Sequence, residues 1–143
     1  MAGLYFDEFQ IGQKFVHDVT RTVTETDNLL FTVMTHNTQP LHLDAEYAKG
    51  AEFGQILVNS IFTFGLMIGA SITDTTLGTT VANLGMDGVK FPKPVFIGDT
   101  VTLEAKIVEI LPKNVARVST VIKKQTGEVV MDGEAKAKLP DGS

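Results

Sequence analysis

Residues 13–23 read as two interleaved sets, with Phe15, His17, Val19 and Arg21 on one side and Val16, Asp18, Thr20 and Thr22 on the other. A two-residue period in a run rich in β-branched side chains predicts a first strand. The period changes at Thr24. Leu29, Leu30, Val33 and Met34 form a short apolar face at helical spacing, and Thr24 with Asp27 makes a capping box in front of them. The helix is expected to stop near Thr35, because residues 37–40 are turn chemistry and Pro40 drives Gln39 out of the α region. A polar loop carrying His36, Asn37, Gln39, His42 and Asp44 follows. Residues 44–50 then predict a helical turn, with Asp44 as N-cap and Gly50 as a left-handed stop.

Residues 53–73 hold no charged side chain and no histidine, and a helix is expected over about residues 59–71. It is apolar nearly all round, so other elements must enclose it. Gly65 and Gly69 would let a sheet approach its backbone closely. A membrane span is the rival reading, disfavoured by Gln55, Asn59, Ser60, Thr63 and Ser71 and by the lack of a basic flank. The second half predicts strands over 81–91, 99–110, 115–124 and 128–139. Gly85 and Gly88 suggest bulges in the first of these, Pro92 and Pro94 end it, Gly98-Asp99 turns the chain, and residues 125–127 close a hairpin. Residues 4–12 read as an N-terminal arm with aromatic anchors and a turn at Gly12. The pattern is α+β in a single domain over 1–143: a curved antiparallel sheet wrapped around a central buried helix, which describes a hot-dog fold. One short chain covers only part of such a helix, so a dimer is expected.

Composition narrows the chemistry. There is no cysteine, which excludes a disulfide, a thiolate metal site and a cysteine nucleophile. It fits a reducing, cytoplasmic setting. A formal charge of −5, with arginine only at positions 21 and 117, argues against a nucleic-acid partner. The N-terminal residues show neither the basic nor the apolar region of a secretory signal. His36, His42 and Asp44 do not have a familiar metal-ligand spacing, so no metal is expected.

Three stretches resemble the MaoC-like branch of the hot-dog superfamily, the (R)-specific enoyl-CoA hydratases and dehydratases. Residues 31–44 are similar to a family segment ending Pro-Leu-His-x-Asp, residues 53–66 to the lead into its central helix, and residues 89–100 to its Phe-x-x-Pro-Val-x-x-Gly-Asp signature. The chain departs from the pattern twice. Asn37 stands where the family usually has an Asp five residues before the catalytic His, and Asn59-Ser60 replaces a frequent His-Gly pair. The combination resembles a subgroup that hydrates branched, dicarboxylic enoyl-CoA esters of the mesaconyl- or itaconyl-CoA kind.

The resemblance implies a hydro-lyase that adds water reversibly to a 2-enoyl-CoA thioester, with coenzyme A as part of the substrate and no separate cofactor. Such a reaction must activate water, protonate Cα and stabilise an enolate-like thioester oxygen. From the residues alone, His42 either bridges backbone groups in its loop or acts as general acid and base; the resemblance favours the second. Asn37 is nearly non-basic but can hold the water through its amide. Backbone N–H groups near Ser60 suit the oxyanion, with Asn59 as a further donor and Gln39 as a substrate contact. His36 reads as a helix-terminal residue, Asp44 as a cap, and His17 has no assigned role. Lys90, Lys93 and Arg117 are candidates for CoA phosphates if they face the cleft. Two alternatives stand beside this reading: a hot-dog thioesterase, which needs a carboxylate near the central helix where only Glu52 is available, and a non-catalytic acyl-CoA-binding subunit.

Overall fold

The computed structural model describes residues 3–17 and 20–142, apart from the side chains of residues 73 and 74. Its elements in chain order are β1 (Lys14–Val16), β2 (Arg21–Thr22), α1 (Glu25–Met34), α2 (Pro40–Leu43), α3 (Ala45–Lys49), α4 (Ser60–Thr75), β3 (Ala82–Lys90), β4 (Thr100–Leu111), β5 (Val115–Lys124) and β6 (Val129–Lys138). All strands join one antiparallel sheet in the order β1-β4-β5-β6-β3, with β2 also on β4, and α4 packs against it. This is the hot-dog arrangement.

The sheet builds itself by alternation. Along β4, Val101, Leu103, Ala105 and Ile107 are buried while Thr102, Glu104 and Lys106 are not. One face is therefore apolar and the other wet, as a one-sided antiparallel sheet requires. Val101 and Leu103 meet Met67 of α4 in a core shared with Val23, Val58, Val95, Ile122, Val130 and Met131. The N-terminal arm closes the other end, with Phe9 buried against Ile107, Ala116 and Leu139. Gly85 and Gly88 lie at the two register shifts between β3 and β6, so both are bulges as expected.

Several expectations change in detail. The predicted first strand divides into β1 and β2, both on β4; Asp18 and Val19 lie outside the described residues. The loop containing His42 is partly helical, because Pro40 occupies the first position of α2 with Gln39 extended before it. Gly50 is not a left-handed stop: its φ is −88°. α4 runs on to Thr75, past the expected end at residue 71. Gly65 and Gly69 do not admit the sheet, since a Cβ at either would meet nothing within 4 Å. The sheet instead contacts the opposite stripe, with Thr63 and Met67 buried, and Ile61 lies 56% exposed on the same side as the glycines. α1 is also turned round. Its apolar residues face out, Met34 being 75% exposed, while Asn28 and Thr32 are buried.

Candidate active site

The site begins with the way α1 ends. Thr24 and Asp27 form the expected capping box at its start, and Arg21 holds Asp27 through two hydrogen bonds of 2.8 and 2.9 Å. That Arg21 bond lowers the Asp27 pKa; burial opposes it, and the Thr24 hydrogen bonds add to the lowering. At the other end, the His36 N–H donates to Val33 O and the Asn37 N–H to Thr32 O. Two such bonds define a Schellman stop, and His36 takes its left-handed position with φ +57°. His36 is thus a helix-terminal residue, exposed to solvent. The Asn37 Oδ1 accepts from the Gln39 N–H at 2.9 Å, which tightens the turn into Pro40. Asp44 caps α3 by accepting from the Glu46 and Tyr47 N–H groups.

α2 then carries His42 against the segment leading into α4. The Leu57 N–H donates to Leu41 O at 3.2 Å, and the His42 Nδ1 lies 2.6 Å from Leu57 O. A carbonyl can only accept, so Nδ1 carries the hydrogen and the neutral ring keeps its lone pair on Nε2. Among the described residues no group bonds Nε2. The ring is half-buried. That arrangement is what a general base requires: one nitrogen fixed in the fold, the other available.

Three residues beyond Leu57, α4 starts with its amide donors almost fully used. The Asn59 N–H donates to Asn28 Oδ1, the Ile61 N–H to Asn59 Oδ1, and the Phe62 and Thr63 N–H groups to Asn59 O. Only the Ser60 N–H has no acceptor among the described residues. It opens beside a cleft of about 160 Å³ lined by Phe53, Leu57, Val58, Ser60, Thr63 and Val130 on one side and residues 91–95 on the other. Lys93 stands in that lining, whereas Arg117 is committed to Glu109 and Glu134 at 3.3 and 3.2 Å. Arg117 is therefore removed from the phosphate candidates; Lys90 is exposed on β3. His42 is not itself in the lining and shares with the cleft the wall residue Leu57. The structure thus ties His42 to the segment that starts α4, through Leu57 O and through Asn28, which bonds both the His42 carbonyl and the Asn59 N–H. Asn37 is three residues ahead of α2 with its oxygen occupied, and the Gln39 side chain is exposed.

The far wall of the cleft is held by the turn at residues 96–99. Asp99 accepts from the Phe96 N–H and Gln125 Nε2, each at 2.8 Å, and from Lys124 Nζ at 3.4 Å. Burial pushes the Asp99 carboxyl upward, but these three partners outweigh it and leave its pKa lowered. The Val58 N–H then bonds Val95 O and ties this turn to the start of α4. Residues 8–131 match the MaoC like domain.

The chain belongs to the MaoC-like domain family. Among curated relatives, it is 35% identical over 126 residues to a mitochondrial 3-hydroxyacyl-[acyl-carrier-protein] dehydratase of Solanum lycopersicum, covering 84% of this chain and 72% of the relative. It is 30% identical to mesaconyl-CoA hydratase of Cereibacter sphaeroides over 94% of this chain but only 38% of the relative, so it spans little more than a third of that protein's length. A solved structure of the R-hydratase PhaJ1 from Pseudomonas aeruginosa superposes with a TM-score of 0.84 at 32% identity, covering 97% of this chain and 87% of that one. The MaoC-like relatives are thus named as hydratases and dehydratases of acyl thioesters. Asn28 and Thr32 form the part of this site that sequence reasoning missed. Their spacing of four places both on one helical face opposite the leucines, a polar stripe that pattern alone assigns to solvent.

Proposed function

We propose that this MaoC-like chain is a reversible hydratase of 2-enoyl-CoA thioesters, with His42 as general acid and base. The observation that carries the reading is the fixed Nδ1–H of His42 on Leu57 O, which leaves the Nε2 lone pair open and lies three residues ahead of the unused amide that starts a sixteen-residue helix. Nε2 takes a proton from water as the oxygen attacks Cβ. Electron density moves to the thioester oxygen, which the Ser60 N–H and the helix dipole stabilise. The proton then passes to Cα from the imidazolium. Because one group takes and returns it, hydroxyl and proton arrive on the same face. Asn37, whose oxygen is occupied, contributes its amide nitrogen to the water, and Gln39 contacts substrate; Asn59, 4% exposed with its Oδ1 on the Ile61 N–H and its Nδ2 on Thr32, is no direct oxyanion donor and acts only by ordering the start of α4.

The acyl group includes branched, dicarboxylic forms such as mesaconyl or itaconyl esters; similarity to a mesaconyl-CoA hydratase supports this. Lys93, at the cleft, suits a CoA phosphate or the second carboxylate. The functional unit is a homodimer or larger homo-oligomer in the cytoplasm, supported by the uncovered stripe of α4 and the outward apolar face of α1. No helix among the described residues is long and apolar enough to cross a membrane.

The test is a panel of crotonyl-, mesaconyl- and itaconyl-CoA followed by loss of enoyl-thioester absorbance, with a thiol reagent alongside. Absorbance loss without thiol release is expected. Release of free CoA would assign a thioesterase instead, and thermal stabilisation without turnover would assign a binding subunit.

A further inference from the structure

We propose that Asn28 is a positioning residue: its buried carboxamide sets the separation between His42 and the Ser60 amide. The inference rests on the hydratase reading of that site. Asn28 lies on α1, outside both the His42 turn and the cleft lining, and is 2% exposed. Its Nδ2 donates to the main-chain oxygen of His42 at 2.9 Å, and its Oδ1 accepts from the main-chain N–H of Asn59 at 2.9 Å. One planar group therefore joins the residue that carries the imidazole to the residue that precedes the unused donor.

The chemistry of the two ends excludes simpler roles. The His42 oxygen can only accept and the Asn59 N–H can only donate, so the carboxamide has a single allowed orientation. A cap alone would need only the acceptor, as an aspartate supplies. Packing alone would be met by a leucine, without the desolvation cost of burying an amide. Thr32, fully buried, reinforces the arrangement more loosely: its hydroxyl lies 3.4 Å from Asn28 Oδ1 and 3.3 Å from Asn59 Nδ2. Asparagine is the side chain of this length that serves both neighbours. A misplacement of about 1 Å between base and substrate can cost about 100-fold in rate, so such a brace bears directly on turnover.

The test compares the wild-type chain with Asn28→Asp, Asn28→Leu and Thr32→Val. Asn28→Asp keeps the acceptor for Asn59 and loses the donor to His42. Crotonyl-CoA hydration is measured over pH, with melting temperature and the ring-nitrogen NMR signals of His42. In Asn28→Asp, kcat is expected to fall about 10- to 100-fold with KM changed by less than about threefold. The acid limb of its pH profile should move up, because the new carboxylate favours the imidazolium. Thr32→Val, which removes only the longer contacts, should melt earlier and lose much less kcat than Asn28→Asp. A folded Asn28→Asp with wild-type kcat overturns the proposal, as does a loss in Thr32→Val matching that of Asn28→Asp. If Asn28→Leu does not fold, Asn28→Asp decides alone. A wild-type chain inert toward enoyl thioesters sinks the hydratase reading instead. The NMR arm then decides the brace: displaced His42 ring signals in Asn28→Asp support it, and unmoved signals overturn it.

Discussion

His36 takes a backbone conformation that most side chains avoid. Its φ of +57° places it in the left-handed region at the end of α1, where glycine carries no Cβ penalty. The ring is exposed, and among the described residues no hydrogen bond to it offsets that conformation. His36→Gly should therefore raise stability by about 0.5–1 kcal/mol in urea unfolding and leave turnover unchanged. A decrease in stability would show that the ring makes a contact worth more than the strain. His42, six residues on, shows what was legible at this scale. Its place in a bend after the first helix follows from Pro40 and the polar run. The choice of Leu57 O as its partner does not, because that contact depends on how two segments fifteen residues apart are stacked.

At the scale of elements, the capping box, the hairpin of β5 and β6 and the two bulges of β3 were all readable, since each is set by residues adjacent in the chain. The inward face of α1 was not. Leucines at helical spacing ordinarily mark the core side, and here a buried hydrogen-bond network holds Asn28 and Thr32 inside instead. The turn after β3 has consequences for acid stability. Asp27 and Asp99 both have lowered pKa values in the folded chain, against about 3.9 when unfolded. Their contribution is present in full above the unfolded value and is lost as pH falls through the folded ones. Denaturation midpoints should therefore drop from about pH 5 downward, and Asp99→Asn should flatten part of that slope. Asp99→Ala should cost about 2–4 kcal/mol, because it strands the Phe96 N–H and leaves Lys124, whose side chain is 8% exposed, without its carboxylate. A loss below about 0.5 kcal/mol in the same melts would contradict this account of the turn.

One chain was expected to cover its central helix only in part, and α4 indeed packs on the sheet and on α1 while one stripe stays open. Ile61, Gly65 and Gly69 recur at intervals of four along α4 and face outward. In the proposed homodimer a second copy covers that stripe. Sedimentation should give at least twice the chain mass, and Gly69→Lys should shift the protein toward monomer without unfolding it, since a Cβ there meets nothing within 4 Å. An unchanged sedimentation profile for Gly69→Lys would place the interface elsewhere. The proposed hydration depends on the His42 imidazole, and His42→Ala tests it most directly. With an enoyl-CoA that the wild type hydrates, the variant should fold normally and lose about 10²–10⁴-fold in kcat. A folded His42→Ala protein that turns over within about threefold of the wild type would contradict the assignment.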